Sequence, residues 1–187
     1  MNSGRSNTTI NIPNALTIVR LLLTPLFVIL LIRNQLKPAL AVFLLAGISD
    51  GLDGMIARWF DQRTVLGAYL DPVADKALLM SAYICLGISG LIPAWIAVVV
   101  LSRDILIVIG IAILSLTEKK YSVQPSKVSK CTTAVQLTTV VTALLFAITG
   151  GLSALLIALI WLTAALTVIS GLHYIFMGMK ILQQPDD

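Results

Sequence analysis

The residues of this chain best suited to do chemistry are four of the five aspartates in the stretch SDGLDGMIARWFDQRTVLGAYLDPVADK, Ser49 to Lys76. Asp50 and Asp53 are three residues apart, and Asp71 and Asp75 four apart, so on helices each pair projects from one face with one turn between its members. Carboxylates gathered in this way repel one another and take up protons unless a cation joins them. Hard divalent ions such as Mg²⁺ or Mn²⁺ accept all-oxygen ligand sets and remove that penalty. The residues between the acids point the same way. Gly51, Gly54, Ala57 and Gly67 are small and let a large ligand or a neighbouring backbone come close, and Arg58 offers a fork of donors that suits a phosphate. Metal ions, a small-residue surface and an arginine together describe a diphosphate site. The competing reading is a cation or proton transporter, because carboxylates inside a membrane often mark an ion pathway.

The membrane enters through composition. Apolar residues make up 58% of the 187 positions and charged residues only 12%, far below the roughly 25% of a soluble domain. An all-α integral membrane protein of a single domain, 1–187, is expected, with room for about six spans of ~20 residues. Apolar runs at Ala15 to Ile32 and from Ala39 to about Ile56 flank the polar turn RNQLKP. A third runs from about Leu70 to Ile88, and a fourth from Ala94 to about Leu116, where TEKKYSVQPSK breaks the pattern. Between Lys130 and Lys180 there is no Asp, Glu, Lys or Arg. That is too long for one span, and Gly150-Gly151 supplies a break, giving a fifth and a sixth from about Cys131.

Alternating these spans puts Arg58, Arg63, Lys119, Lys120, Lys127, Lys130 and Lys180 on the side of the N-terminus, with Arg33 and Lys37 opposite. The positive-inside rule then places both termini, and the active site, on the cytoplasmic side of a multi-pass protein of the cytoplasmic (inner) membrane. The four aspartates fall late in the second span and early in the third, at one level, which favours a cluster over a pathway strung through the membrane. The short polar segment before the first span does not read as a removable signal peptide. The net charge of +4 forms no stripe interleaved with aromatics, so nucleic acid is not an expected partner. Cys85 and Cys131 belong to no metal-ligand spacing and read as packing residues. There is no Ser-His or Cys-His pair to form a covalent intermediate.

Read outwards from Asp50, the sequence is D-x2-D-G-x2-A-R-x8-G-x3-D-x3-D, filled by Asp50, Asp53, Gly54, Ala57, Arg58, Gly67, Asp71 and Asp75. This resembles the signature of the CDP-alcohol phosphotransferases, integral membrane enzymes of phospholipid synthesis. The resemblance implies a six-helix fold, a homodimer, and two Mg²⁺ or Mn²⁺ ions per active site. Asp50, Asp53 and Asp71 would be metal ligands and Asp75 a ligand that is also the general base. Gly54, Ala57, Arg58 and Gly67 would hold the cytidine diphosphate of the donor, CDP-diacylglycerol, whose acyl chains stay among the membrane lipids.

For the acceptor, NIPNALTIVR and LGAYLDPVADK look like phosphatidylglycerophosphate synthases, which use glycerol 3-phosphate. FLLAGISDGLDGMIAR, LSRDILIVI and SKCTTAVQL look as much like CDP-diacylglycerol-dependent cardiolipin synthases, which use phosphatidylglycerol. Glycerol 3-phosphate leads, with phosphatidylglycerol as the alternative. Arg103, Lys127 and Lys130 are the candidates for binding the acceptor's phosphate. Arg103 beside Asp104 also reads as a mutually neutralising structural pair, and the two lysines also read as ordinary basic loop residues. The glycerophosphate enzymes generally carry a second lysine two residues after the position of Lys130, where this chain has Thr132. Asn14 is a candidate helix cap or head-group contact, and Arg20 has the same ambiguity as Arg103. Lys76 reads as a lipid-phosphate or salt-bridge residue, and His173, Trp59, Trp95 and Trp161 as packing or interfacial residues.

Overall fold

The computed structural model describes the backbone of residues 12–60, 65–116 and 127–182, and the side-chain surroundings of 18–49, 76–110 and 128–179. Among the described residues there are six helices and no strand: α1 (Ile12–Ile32), α2 (Leu36–Phe60), α3 (Val65–Ile88), α4 (Ala94–Leu116), α5 (Lys127–Thr149) and α6 (Ser153–Leu182). These are the six apolar runs of the sequence, several lengthened by polar residues at their ends. α2 runs past Arg58 to Phe60, beyond the expected end near Ile56, and α5 begins at Lys127 rather than near Cys131. Apolarity marks where a helix crosses hydrocarbon, whereas the helix itself continues while its backbone bonds can close.

The turns explain why the helices stop. Asn34 adopts a left-handed conformation (φ 57°), and Gln35 N–H reaches back to Leu30 C=O at 2.8 Å, closing the end of α1. Gly90 does the same for α3 with φ 74°, and Leu91 N–H bonds Leu86 C=O at 3.0 Å. Only Gly150, Gly151 and Leu152 separate α5 from α6, so the two must fold back on each other as an antiparallel hairpin.

The chain divides into two compact units, Met1–Ser81 and Ala82–Asp187, with the boundary inside α3. In the first, α1 packs on α2. Phe27 and Phe43 meet with ring centroids 5.3 Å apart, flanked by the buried Ala39 and Ala46, whose small side chains let the helices approach. In the second, α6 is packed by both α4 and α5, around Ile96, Val100, Val140, Leu144 and Ile160. Large apolar side chains such as Leu22, Ile48, Ile109, Trp161 and Phe176 face outwards, which would be costly in water and is the expected surface toward lipid. Among the described residues, Val128–Thr149 and Ser153–Met179 are each long and apolar enough to cross a bilayer. Ile18–Ile32, Leu36–Ser49 and Lys76–Ile88 are shorter apolar stretches.

Candidate functional site

The signature residues fall on helical backbone in two blocks. Asp50, Asp53, Gly54, Ala57 and Arg58 lie on α2, and Gly67, Asp71 and Asp75 on α3, all in the first unit. The spacings of three and four therefore act through helical geometry, and each aspartate pair shares a helix face. The side chains of these eight residues lie outside the described ones. Their donor set is what fits a metal: four carboxylates, hard oxygen ligands with no sulfur or imidazole among them, suit Mg²⁺ or Mn²⁺ rather than a softer ion. Among the described residues no three His, Cys, Asp or Glu side chains come together. Lys76, next to Asp75, is half-buried.

In the second unit the candidate acceptor residues are placed individually. Lys127 opens α5, its side chain outside the described residues, and Lys130, one turn on, is exposed. Two residues further, Thr132 is fully buried. Its hydroxyl donates to Val128 C=O at 2.8 Å and lies 3.3 Å from Leu166 C=O on α6. Positions 130 and 132 thus point to opposite sides of α5, one outward and one into the seam with α6.

Arg103, midway along α4, is buried at 6% exposure, and its charge is met on every side. Nη1 donates to Asp104 Oδ1 at 2.7 Å, Nη2 to Ser129 Oγ of α5 at 2.6 Å, and Nη2 and Nε to Ser170 Oγ of α6 at 2.9 and 3.3 Å. The Tyr174 ring centroid lies 5.8 Å from the guanidinium carbon, within cation–π range. A buried guanidinium needs this many partners, because an unpaired charge at that depth costs several kcal/mol. The Arg103–Asp104 pair was legible in sequence. Its partners on α5 and α6 were not, since they lie 26 and 67 residues away.

The same helices share a polar seam that the sequence reading missed. Thr139 and Thr163 hydroxyls meet at 2.8 Å, and one turn along, Gln136 Nε2 donates to Thr167 Oγ1 at 3.1 Å. Tyr83 of α3 donates its hydroxyl to Gln136 C=O at 3.2 Å. Gln136 Oε1 is buried with no hydrogen-bond partner among the described residues. The available signal was the recurrence of polar residues at 129, 132, 136 and 139, a helical period that marks one face, although Lys130, Thr133, Thr138 and Thr142 lie among them.

The remaining candidates are quickly placed. α1 begins at Ile12, so Asn14 sits inside its first turn rather than before it, with its side chain outside the described residues. Arg20 is buried, and its carbonyl accepts a bond from Thr24 Oγ1 at 3.0 Å. His173 is exposed, edge-on to Tyr174. Trp95 and Trp161 are both exposed and lie together with centroids 5.5 Å apart. Trp59 is on α2, its side chain outside the described residues. Cys85 and Cys131 are free thiols.

With the helices and signature in place, comparison with known proteins gives the class. A CDP-alcohol phosphatidyltransferase family model matches residues 10–169. The chain belongs to the CDP-alcohol phosphatidyltransferase family, and its all-helical fold is that of a membrane-embedded protein. It is similar to the human cardiolipin synthase (CMP-forming), with 34% identity over 92% of this chain and 63% of that protein. The rat protein of the same name matches with the same identity and coverage. The probable phosphatidylglycerophosphate synthase of Mycobacterium tuberculosis is 32% identical over 91% of this chain and 82% of its own length. The chain therefore spans less than two thirds of the human and rat relatives it matches.

Proposed function

We propose that this protein is a phosphatidyltransferase that moves the phosphatidyl group of CDP-diacylglycerol to an acceptor hydroxyl and releases CMP. The observation that carries the reading is the complete eight-residue signature, on consecutive helices of a chain of this family. Asp50, Asp53, Asp71 and Asp75 are assigned to two Mg²⁺ or Mn²⁺ ions, whose chemistry when bound is to neutralise the diphosphate and the charge growing on the departing CMP. Gly54, Ala57 and Gly67 leave room for the cytidine diphosphate, and Arg58 donates to its phosphates. Asp75 takes the proton of the acceptor hydroxyl. The hydroxyl oxygen bonds to the phosphorus that carries diacylglycerol, and the bond from that phosphorus to the CMP oxygen breaks. Nothing in this sequence of events requires a covalent enzyme intermediate.

Glycerol 3-phosphate is the acceptor in this reading, supported by the similarity to the mycobacterial phosphatidylglycerophosphate synthase along most of both chains. Lys127, Lys130 and Arg103 are the basic residues of the acceptor side. Phosphatidylglycerol is a second reading that one observation favours. The position two residues after Lys130 is the buried Thr132, so α5 offers fewer outward cations than a dianionic phosphate prefers. The similarity to cardiolipin synthases agrees with that reading. The proposal further takes the chain as one catalytic domain, 1–187, acting as a homodimer in the cytoplasmic membrane with the active site facing the cytoplasm.

The test is CMP release by the purified protein in detergent with Mg²⁺ or Mn²⁺ and CDP-diacylglycerol, each acceptor supplied separately. Wild type releases CMP, and Asp75→Asn releases none while keeping its helical circular dichroism and elution volume. Release undiminished in Asp75→Asn would remove the base assignment. A folded wild type silent with both acceptors would overturn the reading.

A further inference from the structure

Arg103 is a costly residue for the middle of a membrane helix, and the way its cost is met suggests its purpose. Its carboxylate partner is the adjacent Asp104, so the pair carries little net charge with which to draw a phosphate. The rest of the fork is spent on other helices. α4 and α5 each pack on α6, and Arg103 ties the three together, with Ser170 and Tyr174 from α6 and Ser129 from the first turn of α5. Ser129 immediately precedes the exposed Lys130, and Lys127 lies two residues before it.

We infer that Arg103 is a positioning residue for the acceptor: a clasp that fixes the first turn of α5 through Ser129, and so sets where Lys130 presents its ammonium group. The inference rests on the reading above, in which Lys130 takes the acceptor's phosphate. It differs from a direct substrate contact by Arg103 because it makes Ser129, which bears no charge, a determinant of acceptor affinity. A serine cannot act at a distance on a phosphate, but it can hold the turn that carries the lysine.

The experiment uses the full-length protein with Ser129→Ala, Ser129→Thr, Arg103→Lys and Lys130→Ala, measuring CMP release together with amide hydrogen exchange along α5. Loss of a hydrogen bond to a charged donor is expected to raise the acceptor KM of Ser129→Ala about three- to tenfold, leaving kcat and the KM for CDP-diacylglycerol unchanged. Ser129→Thr, which keeps the hydroxyl, restores the wild-type KM, and in a Lys130→Ala background Ser129→Ala has no further effect. Amides in the first two turns of α5 exchange faster in Ser129→Ala and Arg103→Lys, and those near Thr149 do not. If Arg103→Lys fails to fold, Ser129→Ala alone decides. An unchanged acceptor KM in Ser129→Ala, additivity with Lys130→Ala, or unchanged exchange in the first turns overturns the inference. A wild type that releases no CMP defeats the phosphatidyltransferase reading and the role of Lys130 with it, while the exchange data still decide whether the clasp exists.

Discussion

Replacing the fully buried Gln136 and its partner Thr167 together, by leucine and valine, is expected to stabilise this protein, against the usual direction of a change that removes a hydrogen bond. The side chain makes one bond, Nε2 to Thr167 Oγ1 at 3.1 Å, while Oε1 is buried without a partner among the described residues. Turning the amide over does not help, because Thr167 then satisfies Oε1 and leaves Nε2 alone. An interhelical hydrogen bond in a membrane is worth about 0.6 kcal/mol on average. A buried polar atom left unsatisfied costs about 1–3 kcal/mol. Leucine and valine are close in size to the residues they replace and together remove both terms, so the double variant Gln136→Leu, Thr167→Val should gain about 0.5–2 kcal/mol. Thr167→Val alone strips the amide of its one side-chain partner and should lose about 1–3 kcal/mol, while Gln136→Leu alone exchanges the orphaned amide oxygen for an orphaned, fully buried Thr167 hydroxyl and should lie near wild type. The assay is reversible unfolding in mixed micelles of a mild detergent and dodecyl sulfate, followed by far-UV circular dichroism. A double variant destabilised by more than about 1 kcal/mol would refute the reasoning, since it would mean that Oε1 is satisfied and the amide is a net stabiliser.

Two glycines should respond in opposite directions. At Gly47, inside α2, an added Cβ meets nothing within 4 Å, so Gly47→Ala should stabilise by about 0.5–1 kcal/mol. At Gly150, with φ 71°, Gly150→Ala should cost about 1–2 kcal/mol, and the same unfolding assay reads both. Chelation by EDTA should abolish CMP release and added Mg²⁺ or Mn²⁺ restore it; release that persists in EDTA would exclude the metal assignment of Asp50, Asp53, Asp71 and Asp75.

The parts of the molecule legible in sequence are those governed by local rules. The six helices follow from apolar run length, and the α5–α6 break from Gly150-Gly151, where the left-handed backbone requires what glycine allows. The helical backbone under the aspartates was legible in the same way, since the apolar runs around them extend into α2 and α3. What escaped is tertiary. Arg103 and Asp104 are neighbours and could be paired on paper, but Ser129, Ser170 and Tyr174 reach Arg103 only when α5 and α6 fold onto α4. Thr139 and Thr163 look like two unremarkable threonines until the hairpin register sets them at 2.8 Å.

That register bears on how the chain enters the membrane. α5 is the less apolar of the hairpin's two helices, since it carries Thr132, Gln136 and Thr139 on one face, and α6 brings Thr163 and Thr167 to meet them. The Thr132 and Thr139 hydroxyls bond carbonyls of α5 itself, but a translocation channel handling α5 alone would release the Gln136 amide into hydrocarbon without its partner. Handled with α6 across a three-residue turn, the amide nitrogen finds Thr167 and the Thr139 hydroxyl finds Thr163 at once. No charge lies between Lys130 and Lys180 to anchor the turn on its own account, so the basic residues at the two ends must orient both helices together. The hairpin is thus expected to be the unit of insertion, and a ribosome stalled after α5 should leave that helix extractable from the membrane until α6 emerges.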